Sequence, residues 1–392
     1  MNLAGKTAML GLLILAGCAT ESYKRLPALT GDPLVDGRNA IEQGPPKDKV
    51  LWQYRTALFA MQRGQFDEAK QDLDDAIARI SNIMGKDPNA RKARSLFSPE
   101  AKKTFIGEPY ERVMAYYYRG ILYWRDGERD NARACFRSAE LEDSDTANKT
   151  YASDYVLLDY LDGLASAKMG DDGSDAFKRA SAEAKLSQPP PYNTKANVLF
   201  FVDIGSGPTK YAVGEYAETL LFRAGVSPAQ SVQIRVGEKT LYVRPYDDLY
   251  FQATTRGGRV MDQILANKAG FKTATDAAGN VGLIGGLGMA AAGRGDVRTA
   301  GLGLMAAGLL SKITSAATTP EADIRSWDNL PLYISFASLE LPAGQYTTTI
   351  EFLDAAGRII SPLTKTVQFT VPTGSGDKVI YISDKSLTPL NQ

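Results

Sequence analysis

Two acidic runs, "DLDDAI" at 72–77 and "DGERD" at 126–130, set carboxylates close enough together for acid–base work. Paired carboxylates perform such chemistry only in a concave, partly buried site. Both runs fall on helical patterns, where acids ordinarily form a solvated face, so neither is assigned a reaction. The chain contains no histidine. That removes the side chain most used as a general base near neutral pH, and the commonest metal ligand. Ser-His and Cys-His catalysis and His-based zinc sites are therefore excluded, while carboxylate, lysine and tyrosine chemistry stays open.

A phosphate loop is the next pattern to test, because glycines and a lysine follow an apolar run in "FFVDIGSGPTK" at 200–210. The pattern fails. A phosphate loop donates backbone amides and places its lysine directly after a glycine. Here Pro208 removes one donor and Lys210 follows a threonine, so the stretch reads as a strand and turn. "EADIRSWDNLP" at 321–331 joins Asp323, Arg325 and Trp327 to a proline turn. The spacing suits a bidentate pair from Arg325 to Asp323 or Asp328, with Trp327 plugging the base of a β layer. Tyr117 and Trp124 fit the helical stripe around them less well than Tyr116, Tyr118 and Tyr123. Tyr117, Trp124, Arg325 and Trp327 are accordingly the candidate partner-binding residues. No catalytic, cofactor-binding or metal-binding residue is assigned.

The elements that must carry these residues follow from composition and period. The 392 residues hold 45 basic and 45 acidic side chains, with 44% hydrophobic and 23% charged residues. That is ordinary globular composition for two or three domains. A balanced charge offers no field to draw in nucleic acid. Near the start, Lys6 precedes an apolar stretch from Ala8 to Ala16, followed by Gly17 and Cys18. A run of about a dozen apolar residues is short for the ~20 of a spanning helix. The order of charge, apolar run and small residues is that of an export signal. Cysteine directly after the small residues resembles the bacterial lipobox. That resemblance implies a signal at 1–17, cleavage before Cys18 and acyl chains on its sulfur and amine, since stable anchoring takes two chains. With Ala19 rather than aspartate in the next position, it favours the outer membrane. Cys135, the other cysteine, then has no intramolecular partner and reads as an inert buried thiol.

Residues 18–48 lack sustained periodicity and read as the lipidated cysteine and a flexible tether. Residues 49–187 carry apolar stripes at helical spacing. Tyr116, Gly120, Tyr123, Gly127, Ala132, Phe136 and Ala139 follow the small-and-large spacing of the tetratricopeptide repeat, which this segment resembles. Gly64, Ala69, Leu73 and Ala76 match its second half, and Gly163, Gly170 and Ala176 a degenerate third copy. The resemblance implies a helical solenoid with a concave groove. "SQPPPYNTK" at 187–195 stops the helices.

Residues 195–392 change period. "NVLFFVDIG" is a buried-strand run, 231–237 and 240–246 form a hairpin, and alternating strands with turns follow residue 328. The expectation is α+β: a tetratricopeptide-like solenoid, then an antiparallel β-sandwich with a helical insertion at about 256–320. Within the insertion, residues 281–313 are rich in glycine and alanine and read as a helical hairpin, with membrane insertion or self-association as the alternative.

Taken together, the lipobox, the repeats, "NVLFFVDIGSGPTK" and "ADIRSWDNLP" resemble a family of bacterial outer-membrane lipoproteins with tetratricopeptide-like repeats and a C-terminal β domain. The resemblance implies a non-catalytic scaffold at the periplasmic face of the outer membrane, binding envelope proteins through the repeats and the membrane through lipid. Cell-wall synthesis and a surface, secretion or motility assembly both fit. It calls for no cofactor. The alternatives are a membrane-inserting oligomer and a carboxylate-dependent glycan enzyme.

Overall fold

A computed structural model describes residues 27–84, 104–144, 151–255, 321–374 and 376–392. Cys18 and the apolar run before it lie outside these residues. So do most of 81–108, the insertion at 256–320 and the hairpin expected at 281–313. The described chain is mixed α and β, with eight α-helices and three small sheets.

The helices come first. α1 (Pro33–Gln43) begins where Asp32 accepts from the Leu34 amide and proline occupies the first turn, a start that costs no backbone donor. This corrects the tether expected over 18–48: its second half folds, and Leu34 and Ala40 enter the core. α2 (Lys49–Gln62) and α3 (Phe66–Met84) form one hairpin, and α4 (Pro109–Arg125) and α5 (Arg129–Asp143) a second. α6 (Val156–Lys168) and α7 (Ser174–Glu183) form a third. Gly64, Gly127 and Gly170 end the first helix of each pair at φ 75°, 85° and 87°, a left-handed turn that favours glycine. Gly120 lets α5 approach closely, since a Cβ there would stand 2.5 Å from the Phe136 ring.

Eleven strands follow. β1 (Val198–Ile204) is flanked by β10 (Lys378–Ser383) and β7 (Tyr333–Leu339), with β6 (Asp247–Asp248) at the far edge of a four-stranded sheet. The five-stranded sheet runs β11 (Leu390–Asn391), β9 (Lys365–Val371), β8 (Gly344–Leu353), β4 (Ser231–Val236), β5 (Lys239–Val243). β2 (Thr209–Val213) and β3 (Thr219–Arg223) make a separate hairpin, and the short α8 (Leu249–Thr254) follows β6. The expectation of a wholly antiparallel region needs correcting, because β1 pairs with β10 in parallel, as β11 does with β9. The last segments return to a sheet whose central strand formed far earlier in the chain.

β1 is buried at every position, and its two faces serve different layers. Val198, Phe200 and Val202 share a core with Ile234, Phe352 and Val367 of the five-stranded sheet. Leu199 and Phe201 share another with Tyr54, Tyr117, Tyr118 and Leu161 of the helices. The boundary expected at 187–195 is thus a connector, not a gap in packing. The inner face of the helices, which the repeat resemblance offered to a partner, is covered by the chain's own sheet.

Candidate functional site

Helices and strands meet at a seam, and there the sequence string around Arg325 does its work. Arg325 holds Asp323 in a two-pronged pair, Nε to Oδ1 at 2.9 Å and Nη2 to Oδ2 at 2.6 Å, and reaches Asp48 Oδ1 at 2.6 Å. Burial opposes its charge, but the bonds to Asp323 and Asp48 outweigh it and the guanidinium pKa is raised. Beside it Arg55, from α2, donates to the Ser326 carbonyl at 2.7 Å and to Asp328 Oδ2 at 2.9 Å. The Asn329 amide donates back to the Arg55 carbonyl at 3.0 Å. Charge-assisted bonds of this kind, made in a planar fork, fix geometry as well as adding energy. Residues 326–329 are clamped to Arg55 of α2, and Arg325 to Asp48 just before it.

Beneath the clamp lies a buried ion pair. Lys210 Nζ sits 2.5 Å from Glu111 Oε2, with 2% and 0% of the two side chains exposed. Lys210 also donates to the Arg325 carbonyl at 2.9 Å. The other Glu111 oxygen accepts from the Trp327 amide at 2.7 Å, and Glu111 Oε2 accepts from the Glu108 amide at 2.7 Å, closing a capping box at the start of α4. Burial raises the Glu111 pKa and Lys210 acts against it. One carboxylate therefore ties a helix start, a strand lysine and the clamp together.

Above these pairs opens a cleft of about 420 Å³, lined by Leu51, Trp52 and Arg55 of α2, Thr209 and Lys210 of β2, and Ile324 to Ser326 with Asp48 and Asp328. The Arg55 guanidinium lies 5.0 Å over the Trp52 ring, and Ile324 is 52% exposed at the rim. An aromatic face, an exposed aliphatic side chain and two oriented guanidinium groups on a fixed base can recognise another chain. The cations in this cleft are already held by carboxylates, so the arrangement is one of positioning and contact.

The sequence candidates divide. Arg325 lines the cleft, and its pairing with Asp323 is as expected. Trp327 lies behind the clamp with no exposed surface, stacked 4.3 Å from Tyr54 and tilted against Tyr118 at 5.9 Å. Tyr117 and Trp124 are also fully buried. Tyr117 packs on Tyr118 and Phe201, and the Trp124 indole donates to Asp377 Oδ2 at 2.8 Å. The assignment of these three to a partner surface is corrected: each fills the junction of helices and sheet, where a large ring removes the most apolar area from water. The Cys135 thiol, pushed up to about 12 by burial, suits a packing role.

Other residues were missed. Trp52 and Arg55 sit on an ordinary helical stripe and carried no signal. Glu111 had one: Glu108 and Glu111 stand at capping-box spacing around Pro109. Lys210, which the failed phosphate-loop pattern leaves without a role, serves as the counterion of Glu111. Two further buried carboxylates join the layers. Asp203 Oδ2 on β1 accepts from the Tyr118 and Tyr381 hydroxyls, each at 2.7 Å. Asp247 on β6 accepts from the Val156 and Leu157 amides at 2.9 Å, at the start of α6. Burial pushes both up to about 7, against the bonds they accept.

Among the described residues, no group of three or more His, Cys, Asp and Glu side chains is placed to hold a metal ion. No described helix is long and apolar enough to cross a membrane. Comparison of the chain with known protein families, characterised proteins and solved structures finds no match.

Proposed function

We propose that this protein is a non-catalytic, lipid-anchored binding protein of the bacterial envelope, tethered through Cys18 to the periplasmic face of the outer membrane. It receives a partner segment in the seam cleft between α2 and the 323–328 clamp. The observation that carries the reading is a rim of half-buried Trp52 and Arg55 and exposed Ile324 over a base immobilised by the Arg325–Asp48 and Lys210–Glu111 pairs. Pre-organisation of this kind lowers the ordering cost of association. Reading the three helix hairpins as degenerate tetratricopeptide units, and the two larger sheets as a sandwich, completes the proposal. In that arrangement the repeats present their edge, not their filled inner face, to the partner.

The test is photocrosslinking in intact cells. A photoreactive side chain at Ile324 is expected to capture an envelope protein that the same group at Gln345, at the exposed start of β8, does not. Trp52→Ala and Arg55→Glu should each abolish that capture while leaving the far-ultraviolet spectrum unchanged. Equal capture from both positions, or capture indifferent to Trp52 and Arg55, would reject the cleft as the binding site.

A further inference from the structure

β5 is the outer strand of the five-stranded sheet, and among the described residues it pairs with β4 alone. The β4–β5 turn is Gly237-Glu238, with Gly237 at φ 58°, and Val236 faces Lys239 across it. In a two-residue hairpin the closing residues exchange main-chain hydrogen bonds, and the pairs then alternate. Lys239, Leu241 and Val243 therefore aim their amides and carbonyls at β4. Thr240 and Tyr242 aim theirs away from the sheet.

A charged side chain, lysine above all, is one of the guards of an edge strand. That guard is turned aside here, because Lys239 Nζ donates to the Glu340 carbonyl at 2.8 Å. Of the remaining residues, Thr240, Tyr242 and Val243 are good strand formers. Tyr242 is 74% exposed, and Leu241 is a half-buried member of the core between the sheets.

We propose that β5 is a self-association edge, where a second copy of this chain adds its own β5 antiparallel about a two-fold axis through Leu241. Charge complementarity selects this occupant. In that register Thr240 of each copy faces Tyr242 of the other, so the outward main-chain groups match as hydrogen-bonded pairs. Leu241 faces Leu241 and extends the apolar core across the axis. Glu238, in the turn, falls opposite Arg244, just past the end of the strand, at both ends of the contact, and both residues are exposed. The contact is isologous and closes on itself, so it yields a dimer and not a fibre.

The experiment uses the full chain with Cys18→Ser, so that sedimentation reads protein contacts and Cys135 is left as a buried thiol. Sedimentation velocity should show a concentration-dependent dimer, weakened about tenfold by Arg244→Glu, where two attractive cross-strand pairs become repulsive. Glu238→Arg combined with Arg244→Glu should restore it. Under mild oxidation Leu241→Cys should crosslink to itself, because directly opposed residues of a non-hydrogen-bonded pair lie about 4.5 Å apart. Tyr242→Cys should not, since it faces Thr240. A monomer at every concentration would overturn the proposal. So would a dimer indifferent to Arg244→Glu, or crosslinking at residue 242 equal to that at 241.

Discussion

Asp203 shows how much a single buried carboxyl can govern. Its Oδ2 takes both tyrosine hydroxyls, while Oδ1 has no partner among the described residues. Oδ1 is thus the natural seat for a proton, and burial holds the group up to about 7. The folded state therefore binds a proton that the unfolded chain releases near the ordinary carboxylate value. Stability from this group is full below the carboxylate range, falls as pH rises toward 7, and is flat above. Asp247 acts in the same sense. Urea unfolding should show a more stable protein at pH 5 than at pH 8, by a few kcal/mol in order of magnitude. Asp203→Asn should remove part of that difference by raising stability at pH 8. At the neighbouring site, Lys210→Met leaves Glu111 buried without its cation and should cost about 3–5 kcal/mol by the same measurement. Glu111 was legible through its capping-box spacing, whereas Asp203 and Asp247 were not. Asp203 lies in a run read as a strand, and nothing local records that Tyr118 and Tyr381 arrive from distant parts of the chain to meet it.

At the scale of the element, glycine and cap chemistry carried the most readable information. Gly64, Gly127 and Gly170 end helices where the spacing placed them, because local backbone sterics dictate those turns. A Cβ on Gly127 would meet nothing within 4 Å, so substitution there isolates the backbone term. Gly127→Ala should lower stability by about 1–2 kcal/mol in denaturant unfolding, and Gly127→Asn by less, since asparagine tolerates the left-handed region. The strands at 198–204 and 231–236 were equally legible from their apolar runs. The parallel pairing of β1 with β10 was not, because register between segments so far apart is set by the assembled core. α1 was hidden by its prolines and glycines, although Asp32-Pro33 is a helix start written in the sequence.

The whole molecule is governed by a junction. Because Leu199 and Phe201 share a core with the helices and Val198 and Phe200 share one with the second sheet, removing a plug should be felt in every layer. Trp327→Ala opens a cavity between Tyr54 and Tyr118 and should cost about 3–5 kcal/mol. Hydrogen exchange should show protection falling together in α2, α4 and β1, not in the helices alone. The same junction covers the inner helical face with the chain's own sheet. The functional reading then depends on holding this body at a bilayer, where an envelope partner can reach the cleft. Mass spectrometry of the amino-terminal peptide, from protein made in a bacterial envelope, tests this most directly. The expected result is a mature chain that begins at Cys18 and carries acyl chains on its sulfur and amine. An intact terminus at Met1, with no acyl adduct on Cys18, would contradict it.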